Sequence, residues 1–200
     1  MSTPIPIILA SGSKIRAQIL LDADVPFEVL SKPVDETAIK LAMLSEGARI
    51  RDIADAVAEA KSIRVSRDSS GLVIGADQIM TMEGKLFDKP PTKKAARERL
   101  LSMRGKAHKL IGAIVICENG APVWRHMSVV TLHVRDFSNE WLEDYIAAEG
   151  QLMTKSVGAY RLEGRGAQLF SKVDGDSFSI MGLSLLPLLD YLRLRGALKS

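Results

Sequence analysis

The chain has 200 residues, of which 46% are hydrophobic and 26% charged, and its formal net charge is +3. This composition excludes a collagen, a coiled coil and a disordered chain. No apolar run approaches the roughly 20 residues that span a bilayer. The only cysteine, Cys117, allows neither an intrachain disulfide nor a zinc site built from cysteines. We therefore expect a cytoplasmic protein with no secretory signal and no membrane partner, organised as a single domain over residues 1–200.

The positive charge is concentrated in one part of the chain. Residues 61–110 carry 12 Lys and Arg against 5 Asp and Glu, whereas residues 1–60 carry 6 against 9. A solvated helix face around Lys93–Arg99 or a binding site for an anion explains such an excess equally well. Nucleic acid is a poor candidate, because only 5% of the residues are aromatic and bases need rings to stack on. A small phosphorylated ligand fits better.

Apolar periodicity and turn residues predict the elements of the first part of the chain. Ser13 should cap a helix with its hydroxyl group, which leaves free amides near Ser11 and Ser13 for an anion. In chain order we expect a strand over 4–10, a helix around 15–23, a strand over 27–30, a polar loop over 31–37 that contains Glu36, a helix from 50 to about 65 with Lys61 in its last part, and a strand over 72–76 with Asp77 at its end.

The second part combines hairpin signals with two clear helices. Glu83-Gly84 and Asn119-Gly120 predict tight turns, and Thr92 should cap a helix that Gly105 ends. The further elements are the helix over 93–103, strands over 107–117 and 122–134, a helix over 139–149, a segment over 168–173 followed by a turn at 174–176, and a terminal helix around 183–194. Since crossover and hairpin connections both occur, we expect a mixed sheet in an α/β fold.

Charged residues at the ends of these elements are the candidates for chemistry: Arg16, Glu36, Lys61, Asp77 and Lys89. Asp77 is the most specific of these candidates, because open α/β folds bind ligands at the ends of buried strands. The alternative for Asp77 is a turn residue that bonds its own backbone. A P-loop, a dinucleotide fingerprint and a histidine metal site are not indicated, because the required spacings are missing.

Seven sequence blocks, collinear from about Ile7 to Leu192, resemble the Maf family of nucleoside triphosphate pyrophosphatases. They are Leu9-Ala10-Ser11-Gly12-Ser13-x-x-Arg16, Val34-Asp35-Glu36-Thr37, Ala60-Lys61, Ile74-Gly75-Ala76-Asp77-Gln78, Lys89-Pro90, Gly158-Ala159-Tyr160-x-x-Glu163-Gly164, and Asp174-Gly175-Asp176 through Gly182-Leu183-Ser184-Leu185. The resemblance implies an elongated mixed sheet flanked by helices, with two lobes around a cleft, similar to inosine triphosphate pyrophosphatases. It also implies a homodimer.

The resemblance further implies a reaction. Nucleoside triphosphates, including modified or non-canonical ones, would be hydrolysed between their α and β phosphates with a divalent cation, usually Mg²⁺. Asp77 would be the general base, and Glu36 and Asp77 would hold the cation, which takes hard oxygen ligands. Arg16, Lys61 and Lys89 would neutralise the phosphates, together with the amides of the Ser11–Ser13 turn.

Three positions bear on the nucleobase. Members of the family that act on dTTP and UTP have an arginine, a threonine and a glutamine where this chain has Ile15, Gln78 and Glu163. Gln78 and Glu163 instead resemble the branch that acts on 7-methyl-GTP, and Glu163 could accept hydrogen bonds from guanine N1–H and its amino group. Ile15 does not supply the aromatic ring expected to stack on a methylated purine.

A second interpretation stays open, because the family has been linked to inhibition of septum formation. The chain would then be a non-catalytic, nucleotide-binding regulator of cell division. The carboxylates at Glu36 and Asp77 beside several cations favour the enzyme. A basic nucleic-acid-binding domain is a third and less favoured interpretation.

Overall fold

The computed structural model describes residues 5–199, so Pro4, the expected start of the first strand, lies outside the described residues. The chain forms two compact units. The first comprises the residues up to Gln78, Gly112–Ser128 and the segment from Gly182 onward; the second comprises Ile79–Ile111 and Val129–Met181. Within residues 5–199, no helix combines the length and the apolar character that a membrane crossing needs. The single domain stays a prediction.

Seven strands and seven α-helices were found in the described part of the chain. The strands are β1 (Ile7–Leu9), β2 (Glu28–Val29), β3 (Leu72–Met82), β4 (Lys85–Phe87), β5 (Ala107–Glu118), β6 (Ala121–Val134) and β7 (Phe170–Asp174). The helices are α1 (Lys14–Asp22), α2 (Glu36–Ser45), α3 (Ile50–Ser66), α4 (Lys93–Met103), α5 (Asn139–Glu149), α6 (Ser177–Met181) and α7 (Leu185–Leu194). Short 3₁₀ helices cover Gly150–Lys155 and Arg165–Leu169.

The strands form one mixed sheet in the order β2-β1-β3-β5-β6-β7, with β4 paired to β3. Strand β1 runs parallel to both β2 and β3, with Leu9 opposite Ile74. The β3–β4 and β6–β7 pairs are antiparallel. Parallel strands need crossover connections and antiparallel neighbours need only short turns, which is the mixture that the sequence indicated. The mixed α/β fold is therefore confirmed.

In the first unit, α3 packs closely on β3. Ile53 and Val57 of α3 are fully buried. Gly75 of β3 lies against the α3 backbone, where an added Cβ would be 2.1 Å from the carbonyl oxygen of Ala58 and 2.8 Å from the amide nitrogen of Ser62. Only glycine permits this approach, which sets the height of α3 above the strand.

Two details of the first unit differ from the sequence predictions. Ser13 occupies the N-cap position of α1, but its hydroxyl makes no capping hydrogen bond; instead its amide donates to Ser11 Oγ at 3.3 Å. Helix α2 was not predicted at all. It contains no buried residue and leaves Leu41 62% exposed. Its apolar residues Ile39, Ala42 and Met43 have helical spacing, a signal that the prediction passed over.

Local turn and capping signals of the second unit are confirmed. Glu83 and Gly84 adopt φ values of 52° and 77° in the β3–β4 hairpin, which require the left-handed region. Thr92 Oγ1 accepts a hydrogen bond from the amide of Ala95 at 3.1 Å and begins α4. The core of this unit packs Leu100 and Met103 of α4 with Tyr145 of α5, among other buried side chains.

A histidine lies inside this second core. His108 is 1% exposed, and its Nε2 lies 2.7 Å from the hydroxyl oxygen of Tyr160. Burial, with a smaller contribution from the charge of His133, lowers the pKa of His108 from 6.5 to about 4. The imidazole is therefore neutral in the folded protein at ordinary pH.

The buried histidine predicts a loss of stability in acid. Below the unfolded pKa of 6.5 the unfolded chain binds a proton that folded His108 rejects, so stability falls as the pH drops from 6.5 to 4. By pH 4.5 this effect reaches about 2 kcal/mol. In urea unfolding at pH 7 and 4.5, His108→Gln should lose less stability than the wild type by about that amount. His126→Gln should lose as much as the wild type, and an unchanged pH dependence in His108→Gln would contradict the prediction.

Candidate functional site

Lys61 joins two carboxylates in the first unit. Its Nζ lies 2.8 Å from Asp77 Oδ1 and 2.9 Å from Glu36 Oε1. The side chains of Lys61 and Asp77 are 14% and 7% exposed, whereas that of Glu36 is 42% exposed. Three residues that the sequence put forward, from α2, α3 and β3, are thus brought together around one ammonium group.

Asp77 lies within strand β3, which continues to Met82, so the expectation that it ends the strand is wrong. The reason is that Ile79 to Met82 resume the apolar pattern after a polar pair and carry the strand into the β4 hairpin. Asp77 is therefore not a turn residue that bonds its own backbone. Its second oxygen, Oδ2, is buried and has no hydrogen-bond partner among residues 5–199. A buried carboxylate oxygen without a partner is costly and indicates a place for water, a proton or a cation.

Glu36 is the first residue of α2, and its expected place in a loop is wrong. Asp35 precedes it as the N-cap and accepts a hydrogen bond from the amide of Ala38 at 2.9 Å. The carboxylate of Glu36 therefore lies at the positive end of a helix, where negative charge is stabilised. The Asp35 cap is the one signal in the sequence that could have revealed this helix start.

Arg16 is buried and bonds to the backbone around Asp77. Its Nε donates to the carbonyl oxygen of Gly182 at 2.8 Å, and its Nη1 donates to that of Ala76 at 2.7 Å. Nη1 also lies 3.3 Å from Ser11 Oγ. Burial lowers the pKa of Arg16, while the charges of Asp77 and Glu36 oppose that shift. Arg16 thus holds the backbone of Ala76, the residue before Asp77, and its guanidinium interacts electrostatically with the Asp77 carboxylate.

The turn after β1 contributes Ser11, Ser13 and Ile15. Ser11 Oγ accepts from Arg16 and from the Ser13 amide, which leaves its own hydroxyl proton to donate elsewhere. Because Ser13 does not cap α1 with its side chain, no serine hydroxyl competes for the first amides of that helix. Gly12 is exposed, with nothing within 4 Å of its added Cβ. Ile15 is half-buried.

The remaining predicted residues were placed as follows. Gln78 is half-buried directly after Asp77. Lys89 and Glu163 belong to the second unit, and both are exposed there. Lys89 precedes the buried Pro90, whose ring restricts the chain at that point. Their roles stay predictions.

Glu36 and Asp77 fit a magnesium site with few protein ligands. Mg²⁺ commonly binds through one or two carboxylates and completes its shell with water and substrate phosphates. The unpaired Oδ2 of Asp77 offers one such ligand atom. Within the described residues no group of three or more His, Cys, Asp and Glu side chains is arranged to hold a metal ion. Any cation at Asp77 would therefore take most of its ligands from water and the bound substrate.

Comparison with known proteins gives consistent matches over nearly the whole chain. A family model described as "Maf-like protein" matches residues 6–195. A nucleoside triphosphate pyrophosphatase of Caulobacter vibrioides is 50% identical over 193 residues, covering 96% of this chain and 97% of that protein. Proteins with the same name from Ruegeria pomeroyi and Roseobacter denitrificans are each 46% identical, covering 98% of this chain and 99% and 98% of their own lengths.

A solved structure is also similar. The HAM1 protein from Coxiella burnetii matches with a TM-score of 0.42 and 14% identity, over 65% of this chain and 73% of that chain. This similarity is too weak to carry an argument.

The close packing at Gly75 predicts that Gly75→Ala disrupts the site. The new methyl group would meet the α3 backbone, which cannot move without shifting Lys61 from Asp77. We expect the free energy of unfolding in urea to fall by about 3 kcal/mol. Gly12→Ala is the control, since its Cβ meets nothing and should change stability by less than about 0.5 kcal/mol. Equal stabilities of the two variants would contradict the prediction.

Proposed function

Because the chain belongs to the Maf-like protein family, we propose that it hydrolyses nucleoside triphosphates to a nucleoside monophosphate and pyrophosphate. The observation that carries the proposal is the buried Asp77 carboxylate, with one oxygen held by Lys61 and the other unpaired. The names of the relatives at 46–50% identity support the reaction class. A homodimer and a cytoplasmic location stay predictions.

Asp77 is the general base in this proposal. Lys61 holds Oδ1 in place, so Oδ2 is the oxygen that orients a water molecule and accepts its proton. The water oxygen bonds to phosphorus as the bond to the α–β bridging oxygen breaks, and that oxygen leaves with pyrophosphate. A carboxylate fixed before the substrate arrives reduces the entropy that the reaction must lose.

Cations and amides bind the polyphosphate. Lys61 is the cation nearest to the proposed general base, because its ammonium group lies between the carboxylates of Glu36 and Asp77. Arg16 uses Nε and Nη1 for backbone carbonyls, which leaves Nη2 for a phosphate. The amides at the start of α1 add donors of fixed direction. By family resemblance Lys89 is a further phosphate-binding cation.

A divalent cation, which we take to be Mg²⁺, would be held by Glu36 and Asp77. When bound, it would neutralise phosphate charge and lower the pKa of nearby water. The half-exposed Glu36 remains accessible to a hydrated ion. Asp77 would hold the cation through a water molecule bonded to Oδ2, since Oδ2 is also the oxygen that accepts the proton.

Asp77→Asn tests the general base directly. The amide keeps the shape of the carboxylate but cannot accept a proton from water, so kcat for pyrophosphate release should fall by roughly 10²–10⁴-fold. Nucleotide binding, followed by calorimetry, should persist. Asp68→Asn is the matched control, since Asp68 is an exposed carboxylate paired with Lys32. Retained turnover in Asp77→Asn would remove it from this role.

The preferred base is proposed to be a guanine, with or without a 7-methyl group, recognised by Glu163 with Gln78. We expect the highest kcat/KM for GTP or 7-methyl-GTP in a panel with dTTP, UTP, CTP and ITP in the presence of Mg²⁺. Glu163→Gln should lower kcat/KM for guanine nucleotides roughly 10- to 100-fold, because a carboxylate acceptor is lost.

Glu98→Gln is the control for this panel, because Glu98 is an exposed carboxylate of the same unit. A clear preference for dTTP would overturn the assignment of the base but not the reaction. Absence of turnover with every nucleotide would contradict the reaction and favour a nucleotide-binding regulator.

A further inference from the structure

Arg99 of α4 makes contacts unlike those of a surface charge. Its Nη1 donates to the carbonyl oxygen of Asp88 at 2.6 Å and also to that of Val157. Its guanidinium lies 4.8 Å from the ring centroid of Phe87. The two hydrogens of a guanidinium nitrogen can serve two acceptors at once, so one group holds two separate stretches of backbone.

Its neighbours on α4 behave as the sequence predicted for a solvated face, but Arg99 does not. Lys93 and Lys94 are exposed. The side chain of Arg97 is 42% exposed, and it bonds Glu143 of α5 at 2.7 Å. Arg99 is half-buried, and burial lowers its pKa while the charge of Asp88 opposes the shift. A partly buried guanidinium that bonds two carbonyls and covers a ring has a structural role: it holds two backbone segments together.

One of the two stretches carries Lys89. The carbonyl held by Arg99 belongs to Asp88, the residue immediately before Lys89. On the other side the buried Pro90 restricts the backbone, and α4 begins three residues after Lys89 at the Thr92 cap. The Lys89 backbone is thus fixed from both directions, while its side chain is exposed.

The other stretch leads to Glu163. Val157 lies inside a tightly bonded segment, in which Ser156 Oγ donates to the carbonyl of Tyr160 at 2.6 Å and accepts from its amide at 3.0 Å. Ala159 adopts φ of 61°, a conformation that a buried non-glycine residue keeps only when its surroundings impose it. Arg161 bonds Glu149 at 3.0 Å. The segment is therefore rigid, and Arg99 fixes its start.

We propose that Arg99 is a positioning residue for nucleotide hydrolysis, which holds the Lys89 and Val157–Glu163 stretches in one fixed arrangement. The inference rests on the proposed function, in which Lys89 meets the phosphates and Glu163 the base. Arg99 touches neither substrate part; it sets the distance between the two residues that do. Losing it should impair catalysis and base discrimination together.

Arg99→Met, Arg99→Lys and the control Arg97→Met test this in the full-length protein. We expect Arg99→Met to lower kcat/KM for the best nucleotide roughly 10- to 100-fold, since small misplacements of binding groups cost this much. The ratio of kcat/KM between the best and a poor nucleotide should shrink at least about fivefold. Arg97→Met should stay within about twofold of the wild type in both, because its ion pair is exposed.

The conservative variant separates positioning from folding. Lysine can donate to the carbonyls but cannot cover the Phe87 ring as a planar group, so Arg99→Lys should recover part of the lost kcat/KM. Thermal unfolding reports whether each variant is folded. If Arg99→Met does not fold, Arg99→Lys carries the comparison with Arg97→Met, with a loss of roughly threefold to tenfold expected.

A double-mutant cycle with Lys89→Ala gives the sharpest readout. If Arg99 acts through Lys89, Arg99→Met should cost less in the Lys89→Ala background than in the wild type. Fully additive losses, or folded Arg99 variants with the kinetics of Arg97→Met, would overturn the inference while the wild type stays active. A wild type that releases no pyrophosphate from any nucleotide would instead overturn the proposed function, and this inference with it.

Discussion

The arrangement around Asp77 depends on the ammonium group of Lys61, which lies between two carboxylates from different elements. Two carboxylates this close would repel each other without it, and a buried carboxylate without a partner of opposite charge is costly. Lys61 reaches both because α3 lies directly on β3, and that approach requires Gly75. The close backbone approach at Gly75 therefore determines whether Lys61 can pair with the two carboxylates.

Charge in this group is balanced before any substrate arrives. Arg16 and Lys61 supply two positive charges, and Glu36 and Asp77 supply two negative charges, so the four side chains sum to zero. A triphosphate with about four negative charges would upset that balance, and low-dielectric surroundings make the imbalance costly. This is the physical reason to expect a divalent cation or further basic residues during binding. The same balance explains how two carboxylates can lie beside groups that are proposed to bind phosphate: a cation would offset their negative charge.

Elements with local signals could be predicted from the sequence, and features created by tertiary contacts could not. Helix α4 follows its Thr92 cap, and the β5–β6 hairpin follows Asn119-Gly120 with φ of 51° and 78°. Asp77 was expected at the end of a strand but lies inside one, because Lys61, sixteen residues earlier, pairs with the buried acid there. Helix α2 was missed although Ile39, Ala42 and Met43 have helical spacing after the Asp35 cap, and none of its residues is buried. Arg16, Glu36 and Lys61 were put forward as charged residues at element ends and given roles by the resemblance, but their contacts with Asp77 and its neighbours could be seen only in the fold.

The basic excess of residues 61–110 divides into groups with different physical roles. Lys61 neutralises two carboxylates, and Arg97 makes an exposed ion pair of small energetic value. Arg99 bonds two backbone carbonyls through Nη1, a role that uses the donors of one nitrogen. Lys89 is exposed on a stretch that Arg99 and Pro90 restrain. The net charge therefore favours an anionic ligand, but only burial and hydrogen-bond partners show which cations are available to bind it.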